Sequence, residues 1–170
     1  MKTIHIQKLF NTVKRKNHAI IVPLSFNEQV VAIARKDVYP EGVYRFIGGG
    51  IDEGESPEEG AKREFKEETG VDADLKYVTT IELKVTDEIG QEAIFTTYVY
   101  KTYLNIEDLK PADDISEIQW LSEKPLMDNI ANMIAIPHNA WYEGKHGQMS
   151  WGDWGKVNGY IHLQIIKALI

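Results

Sequence analysis

The tetrad Ser56-Pro57-Glu58-Glu59 fixes the start of one helix, and no other feature limits the fold as much. Ser56 is an N-cap residue. Pro57 takes the first helical position, where its missing N–H costs nothing, and Glu59 completes a Ser-x-x-Glu capping box. The helix is expected to run through Glu68 or Thr69, with Gly70 as its stop. Ahead of it, a short strand over residues 43–47 is expected to end at Gly48-Gly49-Gly50. Strand, glycine loop and helix therefore form one unit. Ala61 and Phe65 give the helix a narrow apolar strip that can dock on a sheet.

The flanking pattern supplies that sheet. Residues 19–26 and 30–35 are Ile/Val-rich and read as a hairpin turning at Asn27-Glu28, with Pro23 pointing to an edge or a bulge. Residues 75–86 and 93–103 form a second hairpin around 88–91. The second run is apolar at both parities, as for a strand covered on both faces. A strand over 116–122, a helix over 125–134, a loop over 141–154 holding three tryptophans, and a last helix over 157–170 complete the reading. Strands and helices are mixed and hairpins occur, so an α+β fold with a mixed sheet is expected. At 170 residues the chain reads as a single domain, 1–170, with a Trp-rich loop and helix over about 138–170.

Composition narrows the chemistry. There are no cysteines, which removes disulfides, thiolate metal sites and cysteine nucleophiles. No apolar run is long enough for a membrane span, and residues 1–10 lack a signal core, so a cytoplasmic protein is expected. The net charge of −7 argues against bulk nucleic-acid binding. Much of it is local: residues 52–68 hold eight acids against three bases.

Glu64, Glu67 and Glu68 stand at i, i+3 and i+4, so their carboxylates share one helical face. Three like charges side by side destabilise a bare helix. They make sense around a hard divalent cation, which takes carboxylate and phosphate oxygens. Arg63 can hold a carboxylate in a fixed orientation through a bidentate pair. The glycines let the backbone approach a ligand closely, and a carbonyl of that loop can point at the same metal.

The stretch Gly49-x5-Glu55-x7-Arg63-Glu64-Phe65-x-Glu67-Glu68-x-Gly70-Val71 matches the Nudix box at every specified position, so the chain resembles the Nudix hydrolases. The resemblance implies an α/β/α sandwich with the mixed sheet between helices. It also implies hydrolysis of a nucleoside diphosphate linked to another group, with Mg²⁺, or Mn²⁺ as a substitute. Carried over by position, Glu67, Glu68 and the Gly48 carbonyl would be metal ligands, and Glu64 a ligand or the general base. Arg63 would orient a glutamate, Glu55 and Gly70 would brace the loop–helix unit, and Gly49 and Gly50 would contact substrate. Many relatives carry proline before the double glycine, where this chain has Ile47. A further acid often comes from outside the box, and Glu117 is the candidate, with Asp87, Glu88 and Glu92 as alternatives.

Trp141, Trp151 and Trp154 are candidates for stacking on a nucleobase, or for pinning the C-terminal segment to the body. Of the histidines, none shows a zinc spacing; His146, among these rings, is the least bland. The expected activity is Mg²⁺-dependent pyrophosphohydrolysis of a nucleotide-type small molecule. Nucleoside triphosphates, oxidised ones included, lead by elimination, because residues 84–90 lack the proline and tyrosine that mark other subfamilies. Two alternatives are a non-catalytic nucleotide sensor on the same scaffold and an isoprenoid diphosphate isomerase. The missing cysteine counts against the latter. A homodimer is compatible with the sequence.

Overall fold

The structure, a computed structural model, describes residues 1–14, 17–144 and 147–169. His146 and the expected helix end at Ile170 lie outside the described residues. Seven strands among the described residues form one mixed sheet: β1 (Lys2–His5), β2 (Asn17–Ser25), β3 (Val31–Lys36), β4 (Ile47–Gly50), β5 (Lys76–Thr86), β6 (Glu92–Leu104) and β7 (Ile115–Leu121). Their order is β1-β5-β6-β2-β3-β7, and β4 pairs with β2. The β2–β3 and β5–β6 hairpins are antiparallel, while β1–β5 and β2–β6 are parallel. The helices are α1 (Asn11–Lys14), α2 (Pro57–Thr69), α3 (Glu123–Ile134) and α4 (Trp151–Leu169). Among the described residues, no helix is long and apolar enough to cross a membrane.

Alternation along β2 builds both sides of the sheet. Ala19 and Ile21 join Ala32, Ala34 and Ile47 under Ala61 and Phe65 of α2. Ile20 and Val22 join Ile33, Phe95 and Val99 on the opposite side. There they meet Leu126, Ile130 and Met133 of α3 and Val157, Ile161 and Ile165 of α4. Helices thus cover both faces, in the expected α/β/α arrangement, and β6 is buried at both parities.

Three expectations are corrected. Pro23 does not mark an edge, because β2 lies between β6 and β3. On its β3 side, however, β2 pairs with β4 as far as Ile21 and meets β3 at Leu24. Pro23 falls in the gap between those two ladders, where a missing N–H is tolerated. Second, the glycines do not follow a strand over 43–47: Ile47–Gly50 is itself β4, paired with residues 18–21. Gly48 sits at φ 141°, and a Cβ there would run into the Ala19 carbonyl oxygen, so only glycine allows this close pairing. Third, the segment over 141–154 is not a loop. It is a hairpin of β8 (Trp141–Gly144) and β9 (Gly147–Ser150), followed at once by α4, which begins at Trp151 rather than 157. Gly155 lets α4 close on α3, since a Cβ there would meet the Met133 carbonyl oxygen.

The first turn of α4 is anchored from far away. The fully buried Asp153 accepts the Gln7 N–H at 3.0 Å on Oδ1 and the Lys8 N–H at 3.2 Å on Oδ2.

Candidate active site

The capping box forms as read. Glu59 N–H donates to Ser56 Oγ at 3.3 Å, and Ser56 N–H donates to Glu59 Oε2 at 2.8 Å. Gly70 closes α2 in the left-handed region at φ 74°. Helix α2 then presents Arg63, Glu64, Glu67 and Glu68 beside the glycines of β4.

Arg63 locks this unit. Its Nε and Nη2 donate to the two Glu55 oxygens at 2.7 and 3.0 Å, and Nη2 also donates to the Gly50 carbonyl at 2.9 Å. Its Nη1 donates to Glu64 Oε1 at 2.8 Å and to Glu67 Oε2 at 3.3 Å. One guanidinium therefore ties the loop acid, the glycine strand and two helix acids together. The Arg63 bonds and the Asp52 N–H hold the Glu55 carboxyl down at about 2. Burial pushes the Glu64 carboxyl above its usual value against the Arg63 bond, and the charges of Glu68 and Glu67 push the same way. A Cβ on Gly49 would collide with the Glu64 carboxylate, so glycine is what lets that side chain lie across the strand.

Glu68 is in a different position from its neighbours. It is 2% exposed, and its Oε2 accepts the Gly48 N–H at 3.0 Å. Its Oε1 lies 3.2 Å from both Arg45 Nη2 and Lys36 Nζ, and Lys36 also holds Asp114 at 2.7 Å. Among the described residues, no three acidic or imidazole side chains converge as a ready cation cage. The donor chemistry nevertheless fits a hard divalent cation: three carboxylates on one helix face beside a glycine strand that admits close approach. Their oxygens are at present shared among Arg63, Arg45 and Lys36.

Glu64, Glu68 and the three glycines of β4 line a cavity of about 580 Å³. Lys36, Arg45 and Asp114 belong to the same wall, and so do Tyr39, Phe95, Trp151 and Trp154. Tyr39, Trp151 and Trp154 form a mutual cluster, with ring centroids 5.2–5.7 Å apart. Both tryptophans are buried in the core as well, so the stacking and the packing readings meet in the same rings.

Other sequence candidates lie elsewhere. Trp141 is 45% exposed on β8 and is not in the cavity wall; Tyr142 is. Glu67 is half exposed and reaches the site only through Arg63. Glu117 is not brought to the acids of α2. Its carboxylate accepts from Tyr44 Oη at 2.8 Å and Gln119 Nε2 at 2.6 Å, which hold it below its usual range. Asp87 caps its hairpin, accepting the Ile89 and Gln91 N–H groups, and Glu92 pairs with Lys84. The further acid in the wall is Asp114, which the sequence reading missed along with Lys36 and Arg45. Lys36 and Arg45 carry no sequence signal of their own: residues 35–45 hold three bases, Arg35, Lys36 and Arg45, against two acids, Asp37 and Glu41. What joins them is the Ala34–Arg45 bridge, two hydrogen bonds of 2.8 Å that set Arg45 beside the end of β3.

Fold and site together define an α/β/α sandwich carrying an arginine-locked glycine–helix unit. A NUDIX domain model matches residues 14–141, and the chain belongs to that family. It is 27% identical to Nudix hydrolase 2 of Arabidopsis thaliana over 71% of this chain and 48% of the relative. It is 42% identical to a putative 8-oxo-dGTP diphosphatase of Bacillus subtilis (strain 168) over 34% of this chain and 36% of that protein. The chain thus spans about half or less of the length of the curated relatives it matches. The fold is shared with the Nudix hydrolase RenU of M. smegmatis, at a TM-score of 0.55, 19% identity and coverage of 92% and 88% of the two chains.

Proposed function

We propose that the chain is a Mg²⁺-dependent pyrophosphohydrolase of nucleoside diphosphate derivatives, with nucleoside triphosphates, oxidised ones included, as the leading class. The observation that carries this reading is the Arg63 lock, which ties Glu64 and Glu67 to Glu55 and the glycine strand, beside a Glu68 held by the Gly48 N–H, at the edge of an aromatic-lined cavity. The short match to the putative 8-oxo-dGTP diphosphatase supports the choice of leading substrate.

Mg²⁺, or Mn²⁺ in its place, would supply charge neutralisation on the diphosphate and acidify water when bound. Glu67, Glu68 and the Gly48 carbonyl would hold the ion, with Glu64 either a further ligand or the base that takes a proton from the attacking water. Water adds to phosphorus as the anhydride P–O bond breaks, and the leaving phosphate carries away the electron pair. Arg63 keeps the acids in place, and Glu55 keeps Arg63 in place. Trp151 and Trp154, with Phe95, offer aromatic surface to a base.

The test is a panel of nucleoside di- and triphosphates, 8-oxo-dGTP, sugar nucleotides and dinucleotides, assayed chromatographically, with and without Mg²⁺, for release of nucleoside monophosphate together with phosphate, pyrophosphate or a second phosphomonoester. Release that needs the metal supports the reading. A panel without any metal-dependent release sinks it.

A further inference from the structure

We infer that Lys36 and Arg45 are the substrate's phosphate-binding pair, parked on Glu68 until a divalent cation displaces them. This rests on the metal-dependent reading above and adds two residues outside the box to it.

Glu68 Oε1 is shared by Arg45 Nη2 and Lys36 Nζ at equal distances of 3.2 Å. A divalent cation that takes this oxygen must push both positive groups off it, because like charges repel strongly in a poorly solvated wall. Neither displaced group moves into open water, since the Lys36 and Arg45 side chains are 21% and 16% exposed. Lys36 keeps Asp114 at 2.7 Å. Arg45 has less to fall back on: its Nε is already buried without a hydrogen-bond partner. An unpaired buried donor is costly, so Arg45 gains when its displacement brings this N–H to a phosphate oxygen.

Both side chains line that cavity beside Gly48 and Glu64, and they are the only Lys or Arg among its described lining residues. Arg63 is committed to Glu55, Gly50, Glu64 and Glu67. Phosphate oxygens entering next to Glu64 therefore meet Lys36 and Arg45 as the available cations, and Arg45 offers the planar fork suited to phosphate. The exchange is coupled: the metal frees the pair, and the phosphate takes it up. Metal and phosphate should strengthen each other's binding by the same factor.

The experiment uses Mg²⁺ alone and methylenediphosphonate, which cannot be hydrolysed, as calorimetric probes of the full chain. In the wild type, methylenediphosphonate should tighten Mg²⁺ binding. Lys36→Met should bind Mg²⁺ alone about 1.5–5-fold more tightly, the scale of a partly exposed ion pair. The same variant should bind methylenediphosphonate with Mg²⁺ roughly tenfold more weakly, or worse. Lys36→Arg should restore both values. Arg45→Lys keeps the charge facing Glu68 and loses the fork, so its methylenediphosphonate affinity should fall while its melting curve holds. A merely structural role would move both affinities in the same direction or leave both alone. Weaker Mg²⁺ binding in Lys36→Met, or unchanged methylenediphosphonate affinity in both variants, overturns the inference and leaves the metal reading standing. A wild type that binds no Mg²⁺ with or without the diphosphonate overturns both.

Discussion

Gly48 and Gly49 are neighbours with opposite tolerances. At Gly48 a Cβ would strike the Ala19 backbone from a left-handed φ, so Gly48→Ala should destabilise the fold by about 3 kcal/mol or more. At Gly49 the obstacle is the Glu64 carboxylate, the far end of a flexible side chain. Gly49→Ala should melt close to the wild type and lose turnover because Glu64 is displaced. Melting curves and rates of the two variants check the contrast, and a stable Gly48→Ala would refute the close-pairing account. The acids divide in the same way. Half-exposed Glu67 can become Gln with little effect on folding and a loss of several orders of magnitude in turnover at fixed Mg²⁺. Glu68→Gln removes the charge opposite Arg45 and Lys36, so it should also cost on the order of 3 kcal/mol of stability. Equal melting temperatures for the two Gln variants would show that the Glu68 pairs are idle. The difference between these two acids was not legible in the chain. Both are adjacent box glutamates on one helix, and what separates them is the arrival of β3 and Arg45 from elsewhere.

Helix α2 and helix α4 show why some elements are legible and others are not. The signals of α2 are local: a capping serine, a proline, a glutamate three residues on and a closing glycine, all within its own turns. Helix α4 starts with Trp151-Gly152-Asp153-Trp154-Gly155, and two glycines argue against helix at about 1 kcal/mol each. That start is held by contacts instead. Asp153 takes two backbone N–H groups from the N-terminal segment, Asp153 N–H reaches Ser150 Oγ, and Gly155 packs on α3. Tertiary packing overrode propensity, and a periodicity scan finds only the later part of the helix. The same packing puts Trp151 and Trp154 in two roles. Leucine at either site should cost roughly 2–3 kcal/mol, less than full truncation. Each should also weaken binding of a nucleotide substrate by about 5–150-fold if the ring faces the base. Leucine at exposed Trp141 should change neither quantity. One melting curve and one substrate titration per variant decide it, and unchanged affinity at both buried sites would leave these rings to packing alone.

For the whole molecule, one ring joins the sheet, the glycine strand and α4. His162 is fully buried, accepts the Phe46 N–H on Nε2 at 2.8 Å and lies within 2.7 Å of the Asn158 carbonyl through Nδ1, so the proton sits on Nδ1. It stacks on Phe46 with centroids 4.8 Å apart. Burial, against the Asn158 bond, holds its pKa down at about 4 from 6.5. The unfolded chain therefore takes up a proton below about pH 6.5 that the folded chain refuses until about pH 4. This contribution to stability is complete above the higher value and is lost as pH falls towards the lower one, roughly 3 kcal/mol in all. In a chain of this size that lowers the melting temperature by several degrees. His162→Gln should melt lower at neutral pH and lose this component of the acid slope. A gap between variant and wild type that stays constant from pH 7 to 4 would count against the assignment. The same hydrogen bond also sets a schedule. Phe46 precedes the glycine strand and waits for a partner 116 residues later in the chain. At about 5–20 residues added per second, that wait lasts about 6–23 s on the ribosome. Through most of it, the box helix can already be wound and capped while the part of the cavity wall that carries Trp151 and Trp154 does not yet exist.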